Sequence, residues 1–518
     1  MEIVDNMYLV VRTRNPGRIT TAIKKSKEVE QQGDVTAVAV HWGLKEAQAL
    51  RALGIKKAPS PIDRDYQWPG IYKPMDHQKE TASFLTLHQR AFCFNEQGTG
   101  KTASAIWASD YLMEQGYIRR VLVICPVSIM QAAWQSDLFK FAVHRHVDVA
   151  HGDRKKRKAI VEGVAEYVII NYDGVSIAFD EIASGGFDLI IIDEANAYKT
   201  PTTKRWKALA KLLTPTTWLW MMTGTPASQS PVDAFGLSKL VSPHRVPKFV
   251  TAWRDRVMYQ QSRFRWYPKH TAKNDVYVAL QPAIRYAKKD CVDLPDVTYQ
   301  TRNVPMSPQA EKYYKHLKTQ MIIEVNDDER VSAVNAAASL NKLLQVSGGA
   351  VYTDARNVLA FDISPRLNAL QEVLDETYNK VIVFVPYRHT IEVVHRYLVG
   401  NGISAEVIQG DVSLSERTRL ISNFQQLTDP RVLVIQPQAA SHGVTLTAAD
   451  TIVFWSPVMS VETYMQCVAR IDRVGQQNKM TVVHLEGSDV ERRIYKMLQG
   501  KIDNHQQLVD LYKEELGI

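Results

Sequence analysis

Between Arg90 and about residue 225 the chain alternates two textures. Short runs that are apolar at nearly every position (RAFCFNE, VLVICPV, YVIINY, DLIIIDEA and TWLWMMTGT) are separated by longer stretches with helical spacing. A strand wetted on one face alternates apolar and polar residues, whereas a continuously apolar strand must be covered on both faces. The pattern therefore predicts a parallel sheet with helices on either side. A second series repeats the texture further on: KVIVFVP, SAEVIQG, RVLVIQP, DTIVFWS and MTVVHLE. Two parallel-sheet lobes of the α/β class are expected.

The flanking regions read differently. At the start, MYLVVRT and VTAVAVHW are strand-like, RITTAIKKSKEVEQQG and LKEAQALRALGI helix-like. This predicts a small βαβα domain over 1–60, tethered by the proline-rich KKAPSPIDRDYQWPG. The first lobe is then expected over 66–243. A more basic and aromatic bridge with helical stretches follows over 244–360, including TAWRDRVMYQQSRFRWYPKH. The second lobe is expected over 361–487 and a C-terminal helical brace over 488–518.

Composition narrows the class. At 518 residues, 45% hydrophobic and 23% charged, the chain has room for several globular domains. No apolar run approaches the roughly 20 residues that span a bilayer, and MEIVDNMYLVVRTRN has no signal-peptide pattern. An intracellular protein with no membrane partner is expected. Four scattered cysteines suit neither a disulfide framework nor a zinc site. The net charge of +8 suits a polyanionic partner and, equally, solubility.

The candidate chemistry begins at FNEQGTGKT (94–102). A strand, a glycine turn and a helix aim backbone N–H groups and the helix dipole at one point, which suits phosphates. Lys101 would reach the terminal phosphates and the Thr102 hydroxyl would ligate Mg²⁺. Asn95 stands where the general pattern has glycine. The apolar run LIIIDEAN (189–196) ends in two acids, at the sheet edge where open α/β folds bind ligands. Asp193 would hold the magnesium ion and Glu194 would orient and deprotonate the attacking water. Arg470 and Arg473, in QCVARIDRVGQ, lie three apart and share a helix face. Spacing alone leaves them either as solvated arginines or as phosphate-reaching fingers.

Taken in order, these motifs resemble the superfamily-two helicase motors and, among them, the Swi/Snf-like DNA translocases of compact bacterial or bacteriophage type. YKPMDHQKE is similar to the adenine-reading segment, NEQGTGKT to motif I and VLVICPVSIMQAAWQSDLFKF to motif Ia. IIDEANAYKT resembles motif II and MMTGTPASQSPVDAFGLSKLVSP motif III. KVIVFVPYRHT, AASHGVTLTAADTIVF and YMQCVARIDRVGQ resemble motifs IV, V and VI. The likeness runs over about 66–500. Two departures are Asn196 and Asp472, each where the family usually has histidine; Ser441 and His442 also depart from a glycine-richer motif V.

The resemblance implies two RecA-like lobes closing on ATP and Mg²⁺. The nucleotide would meet Gln78, Asn95, Glu96, Gln97, Gly98, Thr99, Gly100, Lys101 and Thr102, with the metal on Thr102 and Asp193. Glu194 and Lys101 would be catalytic, joined by Arg470 and Arg473 as arginine fingers. Asn196, Thr223 and Gln466 would couple the site to motion. Pro126, Thr223, Gly224, Thr225, Tyr387, Gly443 and Thr445 would lie along DNA, gripping phosphates without reading sequence. The implied activity is ATP-dependent translocation on duplex DNA, forked or branched forms included. A strand-separating DNA or RNA helicase and an ATP-gated DNA-binding scaffold are the rivals. The location implied is the cytoplasm of a bacterial or phage-infected cell. RKKRK (154–158) reads better as a charged surface helix than as a nuclear-import signal.

Overall fold

The computed structural model describes residues 1–500 apart from 225, 228, 229, 263, 264, 292–294, 328–332, 353–356, 441–444 and 474. The chain divides into two compact units: Met1–Pro226 with Asp233–Asp255 and Thr271–Cys291, and Ala227–Val232 with Arg256–His270 and the chain from Val292 onward.

The first unit opens with an antiparallel sheet of β1 (Glu2–Val4), β2 (Tyr8–Thr13), β3 (Ser26–Gln32) and β4 (Val35–His41), in the order β1-β2-β4-β3. The expected βαβα pattern is corrected here. The stretch read as one helix is a short helix, Pro16–Ala22, followed by strand β3. Nearly every side chain of that polar edge strand is exposed, so no apolar alternation announces it. Leu9, Val11, Val38 and Val40 form a core with Ile19, Ile23, Trp42 and Leu50.

The proline-rich segment is not a loose tether. Ala58, Ser60 and Ile62 are fully buried, and Ser60 Oγ lies 2.8 Å from Thr86 Oγ1. Arg64 donates to the carbonyls of Asn6 and Trp42. Leu44 and Ala47, from the helix Leu44–Ala52, share one apolar core with Ala82 and Leu85. The N-terminal piece is thus packed onto the sheet lobe.

That lobe contains β5 (Arg90–Cys93), β6 (Val121–Cys125), β7 (Val147–Ala150), β8 (Tyr167–Asn171), β9 (Leu189–Asp193) and β10 (Trp218–Met222). A hairpin of β11 (Met258–Ser262) and β12 (Arg265–Pro268) falls outside it, and β13 (Ala283–Ile284) completes the sheet. The order is β13-β5-β10-β9-β6-β8-β7, every pairing parallel. As expected, β6 and β9 are buried along their whole length. RKKRK lies in the helix Arg154–Val161, capped by Asp153, whose side chain accepts from Lys156 N. Arg157 there is buried, donating to Gly152 O and Asn171 Oδ1.

The second unit adds β14 (Val297–Asn303), the hairpin β15 (Ala350–Tyr352) and β16 (Val358–Ala360), then β17 (Lys380–Phe384), β18 (Ala405–Ile408), β19 (Val432–Ile435), β20 (Ala449–Phe454) and β21 (Met480–Glu486). Its sheet runs β14-β21-β20-β17-β19-β18, again parallel. The expected bridge over 244–360 is therefore divided: β13 belongs to the first sheet and β14 to the second. The helix Asp489–Gln499 is part of this second core through Val490, Ile494, Tyr495 and Leu498. Its Glu491 carboxylate accepts from Arg366 Nη2 at 2.7 Å with both side chains buried. The rest of the expected C-terminal brace, 501–518, lies outside the described residues.

Candidate nucleotide site

Strand register gathers the first unit's candidate groups. Cys93 of β5 pairs with Met222 of β10, and Met222 with Asp193 of β9. The three strand ends thus form one row, about 5 Å per step. The candidate phosphate loop follows Cys93, the acidic pair begins at Asp193 and Thr223 follows Met222. The main chain of Thr223 extends the ladder, its N–H donating to Cys93 O at 3.1 Å. Thr223 is fully buried, and Gly224 lies against Gln97. Thr225 lies outside the described residues.

The loop is built to present backbone. Gly98 and Gly100 have φ of 84° and 79°, the left-handed region that glycine enters without cost. A side chain at Gly100 would run into the Gln78 amide. Gln78 is buried; its Oε1 accepts from Met75 N at 2.9 Å and its Nε2 donates to Thr99 O at 3.3 Å. His77 Nε2 lies 2.8 Å from the same carbonyl. Thr99 Oγ1 donates to Glu96 O, tightening the turn. From Lys101 the helix Lys101–Glu114 runs through the lobe, with every residue from Ala103 to Met113 buried. Lys101 Nζ donates to the carbonyls of Asn95 at 2.9 Å and Glu96 at 3.4 Å. The ammonium group is thus held over the loop on acceptors that a phosphate would outcompete.

Asn95 behaves differently from the phosphate-facing residue expected. Its side chain is fully buried. Its Nδ2 donates to Thr81 Oγ1 at 2.8 Å, and its Oδ1 accepts from Tyr286 N at 3.0 Å. The amide therefore ties the loop to the helix Asp76–Leu87 on one side and to the chain after β13 on the other. Glu96 is tied in the same direction: its N–H donates to Tyr286 O and its Oε2 accepts from Lys288 N.

At the acidic pair, Asp193 is buried. Its Oδ2 accepts from Trp134 Nε1 at 2.9 Å, and its Oδ1 from Glu194 N at 3.0 Å. Trp134 is fully buried and comes from a π-helical turn, Met130–Gln135, after β6. Such turns are rare and cluster at functional sites. Glu194 has φ of 51°, uncommon for a residue with a Cβ. Tyr172 holds that turn by donating its hydroxyl to the carbonyls of Asp193 (2.7 Å) and Glu194 (3.2 Å). Burial and the nearby Glu194 and Asp193 carboxylates push the Tyr172 phenol well above its usual range, so it stays a donor. Asn196 is half-buried in the turn Ala195–Tyr198, and Pro126 is buried at the end of β6.

Oxygen donors are what magnesium takes. A carboxylate such as that of Asp193 is an oxygen donor of this kind, and Thr102 adds a hydroxyl on the first turn of the loop's helix. The residues present fit a magnesium–triphosphate group.

In the second unit, two of the expected motifs are joined. Arg473 Nη1 donates to Thr445 Oγ1 at 3.1 Å, and Leu446 N donates to Arg470 O at 2.9 Å. Arg470 is 2% exposed, and its Nε donates to Gln466 O at 2.7 Å. Gln466 itself is buried in the helix Val461–Val468. Tyr387 departs from the surface contact expected of it: its hydroxyl donates to Asn341 Oδ1 at 2.9 Å and its ring packs against the lobe core. Gly443, with Ser441 and His442, lies outside the described residues. Sequence reasoning missed Trp134, Tyr172 and Tyr286. Each is an aromatic residue that pattern alone assigns to packing, while its function here is carried by a polar atom.

Among the described residues no helix is long and apolar enough to cross a membrane. The SNF2-related domain model matches residues 77–347, and the helicase conserved C-terminal domain model matches 365–475. Putative protein p41 of Acyrthosiphon pisum secondary endosymbiont phage 1 is 24% identical over 81% of this chain and 94% of its own. Mouse chromodomain-helicase-DNA-binding protein 1-like is 23% identical over 88% of this chain and 53% of its own. An uncharacterized ATP-dependent helicase of Mycoplasma genitalium is 22% identical over 77% and 38%. The chain thus spans nearly all of the phage relative and about half or less of the other two. The Sulfolobus solfataricus SWI2/SNF2 ATPase core in complex with dsDNA aligns with 87% of this chain and 95% of its own, at a TM-score of 0.41 and 20% identity. Since the first family model alone accounts for more than half of the sequence, the chain belongs to the SNF2-related family of helicase-type ATPases.

Proposed function

We propose that the protein hydrolyses ATP to translocate along duplex DNA, holding the phosphate backbone without regard to sequence. The observation that carries the reading is the single row of strand ends at Cys93, Met222 and Asp193. It brings a glycine turn suited to phosphates, an acidic pair and a candidate DNA-coupling segment to one edge.

In this reading the Gly98–Gly100 turn and the start of its helix bind phosphates through backbone N–H groups. Lys101 leaves the carbonyls of Asn95 and Glu96 for the terminal phosphates. Thr102 and Asp193 hold magnesium, which when bound neutralises phosphate charge and orients the terminal group. Glu194, on its fixed left-handed turn, takes the proton of the attacking water. Arg470 and Arg473 are assigned to the developing phosphate charge, a contribution on the order of 10³–10⁵ in rate. Gln466, Asn196 and Thr223 couple the site to movement, and Pro126, Gly224, Thr225, Gly443 and Thr445 lie along the DNA. Tyr387 is left out because its hydroxyl is already paired with Asn341. Of the implied surroundings, a bacterial or phage cytoplasm fits the phage and Mycoplasma relatives.

The test combines ATP turnover on single-stranded, duplex, forked and four-way DNAs with displacement of a third strand from a triplex. Turnover stimulated by duplex, with third-strand displacement and no unwinding, is expected. Glu194→Gln should bind ATP and DNA yet neither turn over nor displace. Unwinding of the duplex itself would favour a strand-separating helicase. ATP-tightened binding with no displacement would favour a static clamp.

A further inference from the structure

The stretch Arg256–His270 is left unused by that reading. It contains four arginines or lysines and no acid, in a chain whose net charge is only +8. Its two strands, β11 and β12, place Tyr259 directly opposite Tyr267. The two rings stack at 5.8 Å between centroids with 26° between planes. The base of the hairpin is anchored: Val257 and Met258 are buried, and Lys269 N donates to Val257 O at 2.9 Å. Tyr259, one residue beyond the anchor, is nevertheless 49% exposed. An aromatic pair of this kind ordinarily stabilises a sheet by burying both rings. Here the pairing stiffens one ring while leaving it in water, within a strongly cationic segment.

An exposed aromatic ring in a segment whose sequence carries four cations and no acid matches one chemistry in particular: an unpaired nucleotide. Its base stacks on the ring and its phosphate meets the positive charge. The faces of duplex bases are occupied by their own neighbours, so only a base released from pairing fits. A hydrophobic protein partner would not call for four cations. Resting on the DNA reading above, we propose that the β11–β12 hairpin binds single-stranded DNA at a fork or end, with Tyr259 stacking on an unpaired base and Arg256 and Lys269 near its phosphates.

The test uses the full chain and two labelled DNAs, a blunt duplex and the same duplex with two oligo(dT) arms, with affinities read by fluorescence anisotropy. Tyr259→Ala should weaken forked-DNA binding about 10-fold, the loss of one stacked base. Blunt-duplex binding, duplex-stimulated turnover and melting temperature should stay as they are. Tyr259→Phe should restore the fork preference, because the ring does the stacking. Equal losses on both DNAs, or no loss on the fork, would overturn the proposal. A chain that bound neither DNA would instead sink the translocase reading, so the two failures are told apart.

Discussion

Restoring glycine at position 95 should harm the protein. Phosphate loops of this kind usually begin with glycine, so Asn95→Gly looks like a return to type. In the structure the Asn95 side chain makes two buried hydrogen bonds, from Nδ2 to Thr81 Oγ1 and from Tyr286 N to Oδ1. Each contributes about 1 kcal/mol net, and the Tyr286 N–H left without its acceptor costs about 1 kcal/mol more. The extra backbone freedom of glycine in the unfolded chain adds roughly 0.5–1 kcal/mol. The expected loss is therefore about 3.5–4 kcal/mol. At the roughly 2 °C per kcal/mol typical of a large unit, this lowers the melting temperature by about 7–8 °C. Tryptophan fluorescence is the convenient probe, since eight of the ten tryptophans lie in the first unit. Asn95→Asp keeps the acceptor for Tyr286 and loses the donor to Thr81, so it should fall between glycine and the native chain. An Asn95→Gly protein that melts at or above the native temperature would refute the tie between loop and β13.

Three further outcomes follow from buried polar groups. Glu491→Gln leaves the Arg366 guanidinium buried without its counter-charge and should cost about 3–5 kcal/mol. Faster hydrogen exchange in the helix Asp489–Gln499 would report it, and unchanged protection would count against the pair. His484 is buried, its Nε2 lies 2.9 Å from Tyr464 Oη, and desolvation lowers its pKa to about 4. Between about pH 6.5 and 4 the unfolded chain binds a proton that the folded chain refuses, so stability falls by about 3 kcal/mol as pH drops through that window. His484→Gln should flatten the acid limb of the stability profile, and an unaltered limb would place the titration elsewhere. Trp134→Phe removes the donor on Asp193 Oδ2 while keeping an aromatic ring. It should raise the magnesium concentration needed for ADP binding a few-fold, measured by calorimetry, and leave magnesium-free binding alone; an unchanged requirement would show that the indole does not position Asp193.

How legible each part was depends on where its stabilisation comes from. Strands β6, β8 and β9 are covered on both faces, which forces apolar residues at successive positions and makes them visible as runs. β3 and β14 are held by backbone hydrogen bonds at sheet edges, with side chains largely in water. Backbone pairing makes no demand on side-chain type, so SKEVEQQ and VTYQTRN carry no periodic signal. The same logic separates the site residues. The glycines of the loop and the Asp193–Glu194 pair are local, since the turn and the strand end lie within a few residues of what they act on. The partner of Asn95 is the main chain of Tyr286, 191 residues away, and Trp134 reaches Asp193 across 59. A side chain whose chemistry is completed by a distant backbone group looks, in sequence, like a departure from pattern or like ordinary core. Asn95 was visible only as a missing glycine. Its physical meaning appears when the chain that follows β13 at the edge of the sheet supplies the Tyr286 N–H that its side-chain oxygen accepts.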